Sequence, residues 1–357
     1  AAQPVRDGLL AAYYGETRRR PDINFIDTAG TPAGALAAYD KAVASGADFV
    51  VGPLGRDEVD AVYGRQQLQV PVLALNYSDV PNSEGNPLVQ FGLSSNDEAE
   101  LIVQRAVQLG YKRCMVIHSN DAWSTRTANY FGELWAENKG ETPATVVFTD
   151  DRSFSNNIKK GLQIQLSQQR ARALANVSGE QLEFTPRRRE DIAFVFIPVN
   201  ARLARSIKPL LAFHFAEALP VMATSRIYTG KPNPRRDNDL NDIQFTDTPW
   251  VLETNNAQYT AINHYVEQGG VASKNLYALG IDAYQMAPRL PQLANSRYAR
   301  FFGHTGTLQL NSDNKVMRKP QWAVFTNGYA RPQASDNSSG KEASNDSKQG
   351  AEKSARR

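Results

Sequence analysis

Histidine pairs at helical spacing hold metals, a serine on a Gly-x-Ser-x-Gly turn attacks carbonyls, and glycine-rich turns after strands cradle phosphates. None of these arrangements occurs in this chain. Its four histidines, His118, His214, His264 and His304, are never at ligand spacing from one another. No Gly-x-x-x-x-Gly-Lys loop and no Gly-x-Gly-x-x-Gly turn follows an apolar run. The single cysteine, Cys114, lies in Cys114-Met115-Val116-Ile117. There it reads as a small buried hydrophobe, a poor place for a nucleophile. One cysteine also excludes an internal disulfide. The sequence therefore carries no local signature of catalysis, and it calls for no metal and no cofactor.

Polar residues do gather where apolar runs stop. Asn76, Tyr77 and Ser78 follow one run, and Ser94 and Ser95 follow another. Ser119, Asn120 and Asp121 follow a third, and Ser225, Arg226 and Tyr228 a fourth. Open parallel sheets meet their ligands at the carboxyl ends of strands. Asn76, Tyr77, Ser78, Ser94, Asp121, Arg226 and Tyr228 are thus candidates to line a cleft suited to a small polar ligand. A plainer account competes at every position, because Ser, Asn and Asp cap helices and make turns. Ser95, three residues before Glu98, has capping-box spacing. Arg187-Arg188-Arg189 is followed by Glu190 and Asp191, so it reads as a solvated face. The Gln-rich helical stretch 163–175, with Arg170 and Arg172, is either a partner-docking element or an exposed helix. Tyr228, read as an exposed aromatic, and the loop 231–236 are further interface candidates.

These residues need a frame. Residues 47–51 and 72–75 are short apolar strands separated by a helix-length stretch, the spacing of a βαβ unit. Residues 23–26 and 88–93 read as further strands. Thr31 caps a helix with Pro32 at its first position and Gly46 beyond its end. The alternation restarts with strands at 113–118, 144–148, 192–197 and 220–224, and helices at 123–138, 156–175 and 201–217. Helices follow at 257–267 and 275–290. Residues 306–310 and 322–325 then read as a hairpin across a polar turn at 311–315. Two such blocks predict two doubly wound α/β lobes with a cleft between them. The final stretch, 331–357, has too few apolar residues to offset chain entropy and is expected to be disordered.

Composition agrees with a globular chain. The 357 residues are 41% hydrophobic and carry a net charge of +3. That balance gives no footprint for nucleic acid, and no run of 18 apolar residues spans a membrane. The chain opens on an apolar helical face, Val5, Leu9, Leu10 and Tyr13, with no strand before it. A first strand is therefore expected to be missing, as in a fragment of a longer polypeptide.

Several stretches together resemble a known family. Asp48-Phe49-Val50-Val51-Gly52-Pro53-Leu54, Phe91-Gly92-Leu93-Ser94-Ser95-Asn96-Asp97-Glu98 and Ala223-Thr224-Ser225-Arg226-Ile227-Tyr228 are similar to the C-terminal domain of the LpoA family of outer-membrane lipoproteins. So are Asp247-Thr248-Pro249-Trp250, Leu279-Gly280-Ile281-Asp282-Ala283-Tyr284 and Gly303-His304-Thr305-Gly306-Thr307-Leu308. The resemblance implies a type I periplasmic-binding-protein-like fold. One lobe would comprise 1–93 and 251–297, and the other 94–250 and 298–330. It implies a non-enzymatic activator that docks on a class A penicillin-binding protein, in the periplasm at the inner face of the outer membrane. The only membrane attachment would be an N-terminal lipid anchor that this chain lacks. The alternative on the same fold is a periplasmic receptor for an amino acid, amide or sugar.

Overall fold

In a computed structural model the described residues are 2–17, 19–65, 67–78, 80, 87–179, 183–253 and 270–333. Helices α1 (Ala2–Gly15) and α2 (Pro32–Ala44) precede strand β1 (Val50–Val51), helix α3 (Arg56–Tyr63), and strands β2 (Val72–Ala74) and β3 (Leu88–Gln90). Helix α4 (Ser95–Gln108), β4 (Cys114–Ser119), α5 (Ala122–Glu137), β5 (Ala144–Phe148), α6 (Asp151–Gly161) and α7 (Ile164–Ser178) come next. They lead to β6 (Phe194–Ile197), α8 (Ala201–Phe213), β7 (Val221–Ala223), α9 (Pro234–Asp237), β8 (Ile243–Asp247) and α10 (Pro249–Leu252). The chain ends on α11 (Gly270–Met286), α12 (Leu290–Ala294), β9 (Phe301–Phe302), β10 (Thr307–Leu310), β11 (Val316–Lys319), β12 (Gln321–Thr326) and β13 (Tyr329–Pro332).

Strand periodicity builds two separate cores. Parallel strands covered on both faces read as continuous apolar runs whose alternate residues serve opposite layers. In the seven-stranded sheet, ordered β13-β12-β8-β7-β6-β4-β5, Met115, Ile117, Val195 and Ile197 face α6 and α8. Their neighbours Cys114, Val116, Phe194 and Phe196 face α4 and α5. In the three-stranded parallel sheet β1-β2-β3, Leu73 and Val89 pack with residues of α11, α12, β10 and β11. Val72, Ala74 and Leu88 pack with α2 and α3. Helix α11 reaches α1 at very close range, because an added Cβ at Gly280 would lie 2.0 Å from the Val5 carbonyl oxygen.

The chain passes between these cores after β3, after β8, and between β11 and β12. The segment after 298 therefore divides. Leu308, Leu310 and Val316 join the three-stranded sheet's core, whereas Ala323 and Phe325 join that of the seven-stranded sheet. The expected hairpin between 306–310 and 322–325 is replaced by β10 pairing with β11, while β12 pairs with β8 and β13. The turn at 311–315 leads straight into Val316–Lys319, and a nearer antiparallel partner closes a shorter loop.

Other expectations change as well. Residues 23–26 form no strand, and Phe25 is 53% exposed; a strand needs a partner for its backbone, and these residues have none among the described strands. The helix expected over 156–175 is two helices, broken at Gln163 in the left-handed region at φ 55°. The cap of α4 is Ser94, whose side chain accepts from the Asn96 amide. Ser95 instead hydrogen-bonds the Thr127 hydroxyl at 3.0 Å. Arg331 and Pro332, placed in the disordered tail by composition, lie in β13. The helix expected at 257–267 and the tail beyond 333 lie outside the described residues.

Candidate functional site

Strand β11 alternates inward and outward, and its second inward position is an arginine. Arg318 is 4% exposed. A charge held there must be compensated inside the protein, and it is. Its Nε donates to Asp97 Oδ2 at 3.2 Å, its Nη2 to the Ser94 carbonyl at 3.1 Å, and its Nη1 to the Thr305 carbonyl at 3.3 Å. Glu98 Oε1 lies 3.8 Å from Nη2. Asp97 and Glu98 occupy the first turn of α4, where the helix dipole and free amides favour anions.

The cluster spreads to the other crossings. Glu98 accepts from the Ser225 amide at 2.6 Å and the Ser225 hydroxyl at 2.8 Å. Asp247, buried at the end of β8, accepts from the Thr248 amide at 2.7 Å. The Thr248 hydroxyl donates to Asn275 at 2.7 Å. Asp282 of α11 accepts from the amides of His304 and Thr305 and from the Thr305 hydroxyl. Together these groups bind the chain segments that pass from one core to the other.

One guanidinium does not offset the burial of several acids, so the acids hold protons more tightly than usual. Burial pushes Asp97 up to about 7, against the opposing pull of Arg318. Burial also raises Glu98, again opposed by Arg318 and by the Ser225 hydrogen bonds. Asp247 lies well above the usual carboxylate range, first through burial and then through repulsion from Glu98. Burial alone would lower Arg318, but Asp97 and Glu98 hold it charged.

The sequence-derived candidates fall around this cluster in different ways. Ser94 caps α4 and lends its carbonyl to Arg318. The Tyr77 hydroxyl donates to the Val316 carbonyl at 2.9 Å, beside Arg318, and burial raises its pKa. The Arg226 guanidinium stacks 4.0 Å above the Trp123 ring and feels the charges of Asp121 and Glu98. Asp121 caps α5 by accepting from the Trp123 and Ser124 amides. Burial would raise its pKa, but those bonds and the Ser119 hydroxyl hold it below the usual range. Asn76 and Ser78 lie apart from the cluster: Asn76 ties to the Leu54 carbonyl, and Ser78 to Asp60 and Gln90. Tyr228, expected to be exposed, is buried against Phe245 and Phe325. Its phenol ring completes an apolar core, and the polar signal around it belongs to its neighbours.

A cavity of ≈ 370 Å³ opens beside Asp97 and Arg318, with Glu100, Arg297, Gln309 and Lys319 on its walls. A second lies along Val116, His118, Asn129 and Glu133. None of the seven candidates lines either. Among the described residues, no group of three or more His, Cys, Asp or Glu could hold a metal ion. His304 Nδ1 meets Asp282 at 3.0 Å, a geometry that can orient a base. The carboxylate's backbone and hydroxyl donors make it the organiser of the 303–305 turn. Burial pushes the Cys114 thiol up to about 12, far from a nucleophilic thiolate. The arrangement is suited to fixing geometry.

Arg318, Asp97, Glu98, Asp247 and Asp282 were not anticipated. Arg318 and Asp97 are 221 positions apart in the chain, and no local pattern joins them. The one signal that could have found them was the register of 316–319, where a basic residue takes the inward position after Val316.

Comparison with known proteins adds the following. Residues 1–328 match the family described as the LppC lipoproteins. The penicillin-binding protein activator LpoA of Photobacterium profundum is 29% identical over 336 residues, covering 92% of this chain and 54% of that protein. The protein of that name from Vibrio cholerae is 28% identical over 331 residues, covering 90% and 54%. This chain thus spans about half the length of the curated relatives it matches. Among solved structures, the LpoA (YraM) C-domain from Haemophilus influenzae, described as a regulator of PBP1A, superposes with a TM-score of 0.71. It is 22% identical and covers 93% of this chain and 95% of its own. A branched-chain amino acid ABC transporter structure from Chromobacterium violaceum gives 0.64 at 24% identity, covering 91% and 94%. The fold is accordingly mixed α/β and periplasmic-binding-protein-like.

Proposed function

The chain belongs to the LppC lipoprotein family, and from that premise we propose that it is a non-enzymatic regulator of peptidoglycan synthesis that docks on a class A penicillin-binding protein and activates it. The observation that carries this reading is the Arg318 cluster. A receptor that closes on a small ligand needs free polar groups at its strand ends and crossings able to move. Here Arg318 and its acids cross-tie the crossings. Of the strand-end candidates, Ser94, Asp121 and Tyr77 already serve internal bonds.

Such a body acts by being bound. It would hold the active conformer of the synthase more tightly than the resting one, and it can shift that equilibrium only as far as its affinities differ. Its place would be the periplasm, tethered to the inner face of the outer membrane through a lipid carried by the full-length lipoprotein. No helix among the described residues is long and apolar enough to cross a membrane.

The test uses the full-length lipoprotein and the class A synthase of the same cell, with glycan polymerisation and crosslinking as readouts. Stimulation of either activity on complex formation supports the reading, and complex formation with no change in either rate overturns it. A thermal-shift screen of amino acids, amides and sugars tests the receptor alternative, since a ligand of the native state must raise its stability.

A further inference from the structure

Helix α7 buries a smaller share of its residues than the other long helices beside the seven-stranded sheet. Only Ile164 and Ser167 of its 15 residues are buried, and none of 171–179 is. Leu166, Leu174 and Val177 are 44%, 59% and 86% exposed. At about 100° per residue, these three and Arg170 fall within one third of the helix circumference. They form a second apolar stripe, beside the narrow one that faces the core.

No residue of 171–178 is fully buried, and only Ala171 and Ala175 are partly so, so intrinsic preference must do much to hold them helical. Ala171-Arg172-Ala173-Leu174-Ala175 is a run of the strongest helix formers. Gly179, left-handed at φ 69°, stops the helix cleanly. The result is a preordered rod, whose immobilisation on a partner costs little entropy.

Charge indicates the kind of partner. Residues 152–178 contain Arg152, Lys159, Lys160, Arg170 and Arg172 and no acidic residue. Among the described residues, neither Arg170 nor Arg172 has an ion pair. The Arg187 amide donates to Ser167 on the inner face of α7 at 3.1 Å, which brings a further basic side chain to this end of the molecule. A lipid surface suits the stripe less well. Membrane-surface helices carry Trp or Phe on the apolar face and a strongly charged opposite face, whereas α7 has no aromatic residue and a Gln-rich flank.

We propose that Leu166, Arg170, Leu174 and Val177 of α7 form a docking ridge for a protein groove with an apolar floor and a carboxylate rim. Resting on the function proposed above, we assign that groove to the class A synthase. The mode is a helix laid in a groove, read through residues on one face.

The test measures binding of the full-length lipoprotein to the purified class A synthase. It compares the native chain with Leu174→Ser/Val177→Ser and with Arg170→Glu, folding being checked by circular dichroism. Each variant should weaken binding at least tenfold, and the native complex should weaken as salt rises. The charge reversal removes no apolar side chain and so keeps the test open if the serine pair folds poorly. Native binding left unchanged in both variants overturns the ridge and spares the activator reading. Absence of native binding overturns that reading and the ridge with it. Sedimentation of the native chain with anionic phosphatidylglycerol vesicles, abolished by Leu174→Ser/Val177→Ser, would assign the stripe to lipid and overturn the proposal. A self-association lost in the same pair would do so in favour of a second copy.

Discussion

Arg318 and the arginines of α7 are opposite uses of one side chain. Arg318 is 4% exposed and held by two acids and two carbonyls. Arg170 and Arg172 are exposed and have no ion pair among the described residues. A buried charge survives only when its own protein satisfies it, and a satisfied group has little left to offer a ligand. An exposed charge costs little to carry and gains when a partner desolvates it against an opposite charge. Strand ends are where α/β sheets commonly bind, but here Ser94, Tyr77 and Asp121 of that region are already engaged within the chain, while the Thr224 hydroxyl and Asp247 Oδ2 have no hydrogen-bond partner among the described residues. Capacity for partners is kept on an outer helix.

The sharpest way to break this contrast is to remove Arg318. Arg318→Leu leaves Asp97 and Glu98 buried without their cation, and loss of one partner from a buried pair costs about 3–5 kcal/mol. Urea unfolding at pH 8 measures the loss. The deficit should shrink at pH 5, where the acids, already raised by burial, take up protons. A cost below about 1 kcal/mol at pH 8, the range of an exposed pair, would show that the crossings are not held there.

A second prediction concerns rigidity without charge. Gly280→Ala puts a methyl group 2.0 Å from the Val5 carbonyl oxygen. Backbone on both helices leaves no flexible end to yield, so overpacking should cost about 1–3 kcal/mol in the same assay. A neutral result would mean that α1 and α11 can separate freely, which would weaken the idea of a fixed frame behind the docking surface.

The dependence on pH separates the buried cluster from a surface ion pair by sign. Asp97 titrates at about 7 in the native chain against an ordinary value of 3.8. Between about pH 4 and 7 the native state holds a proton that the unfolded state has lost. The stability from this group is therefore fully present below pH 4 and drains as pH rises through 7, by at most about 1.4 kcal/mol per unit. Asp191 on the surface behaves in the opposite sense: hydrogen bonds from Arg189, and then Arg113, hold it well below the usual range. Its contribution is lost only as pH falls below about 4. Asp97→Asn should flatten the slope between pH 4.5 and 7.5 and leave the acid limb alone. An unchanged slope would place the titration elsewhere.

Much of the frame was legible in the sequence, because it depends on local patterns. The runs around Phe194 and Val116 alternate between the two faces of the seven-stranded sheet, and runs of this kind announce buried parallel strands. Caps and closing glycines marked helix ends to within a residue or two, as at Thr31 and Gly46. What failed was information carried by distant pairing. Residues 23–26 have a strand's composition but no partner among the described strands. The hairpin after residue 306 found β11, and not β12, because β12 was taken by β8 and β13. The site was less legible than the fold. Ser94, Tyr77, Asp121 and Arg226 do gather around one cluster, but the arginine at its centre is contributed from a strand 221 positions away from Asp97 of α4. Arg170 and Arg172 were visible as a basic helix, and it took the burial pattern of α7 to show that residues 171–179 overhang the core.

The smallest expected effect tests the other half of the contrast. Leu174→Ser with Val177→Ser removes side chains that are 59% and 86% exposed, so nothing of the core is lost. The remaining cost is the weaker helix preference of serine, a few tenths of a kcal/mol per residue, and exposed substitutions usually stay within about 0.5 kcal/mol. The thermal midpoint should move by only a degree or two, while Phe131→Ala, which empties a fully buried site on α5, should cost about 3–5 kcal/mol. A docking residue is one whose removal is felt by the partner and not by the fold. If the serine pair instead lowered stability by several kcal/mol, Leu174 and Val177 would already be covered by their own chain. The outer helix would then be as satisfied as Arg318, and the search for a partner surface would have to move elsewhere.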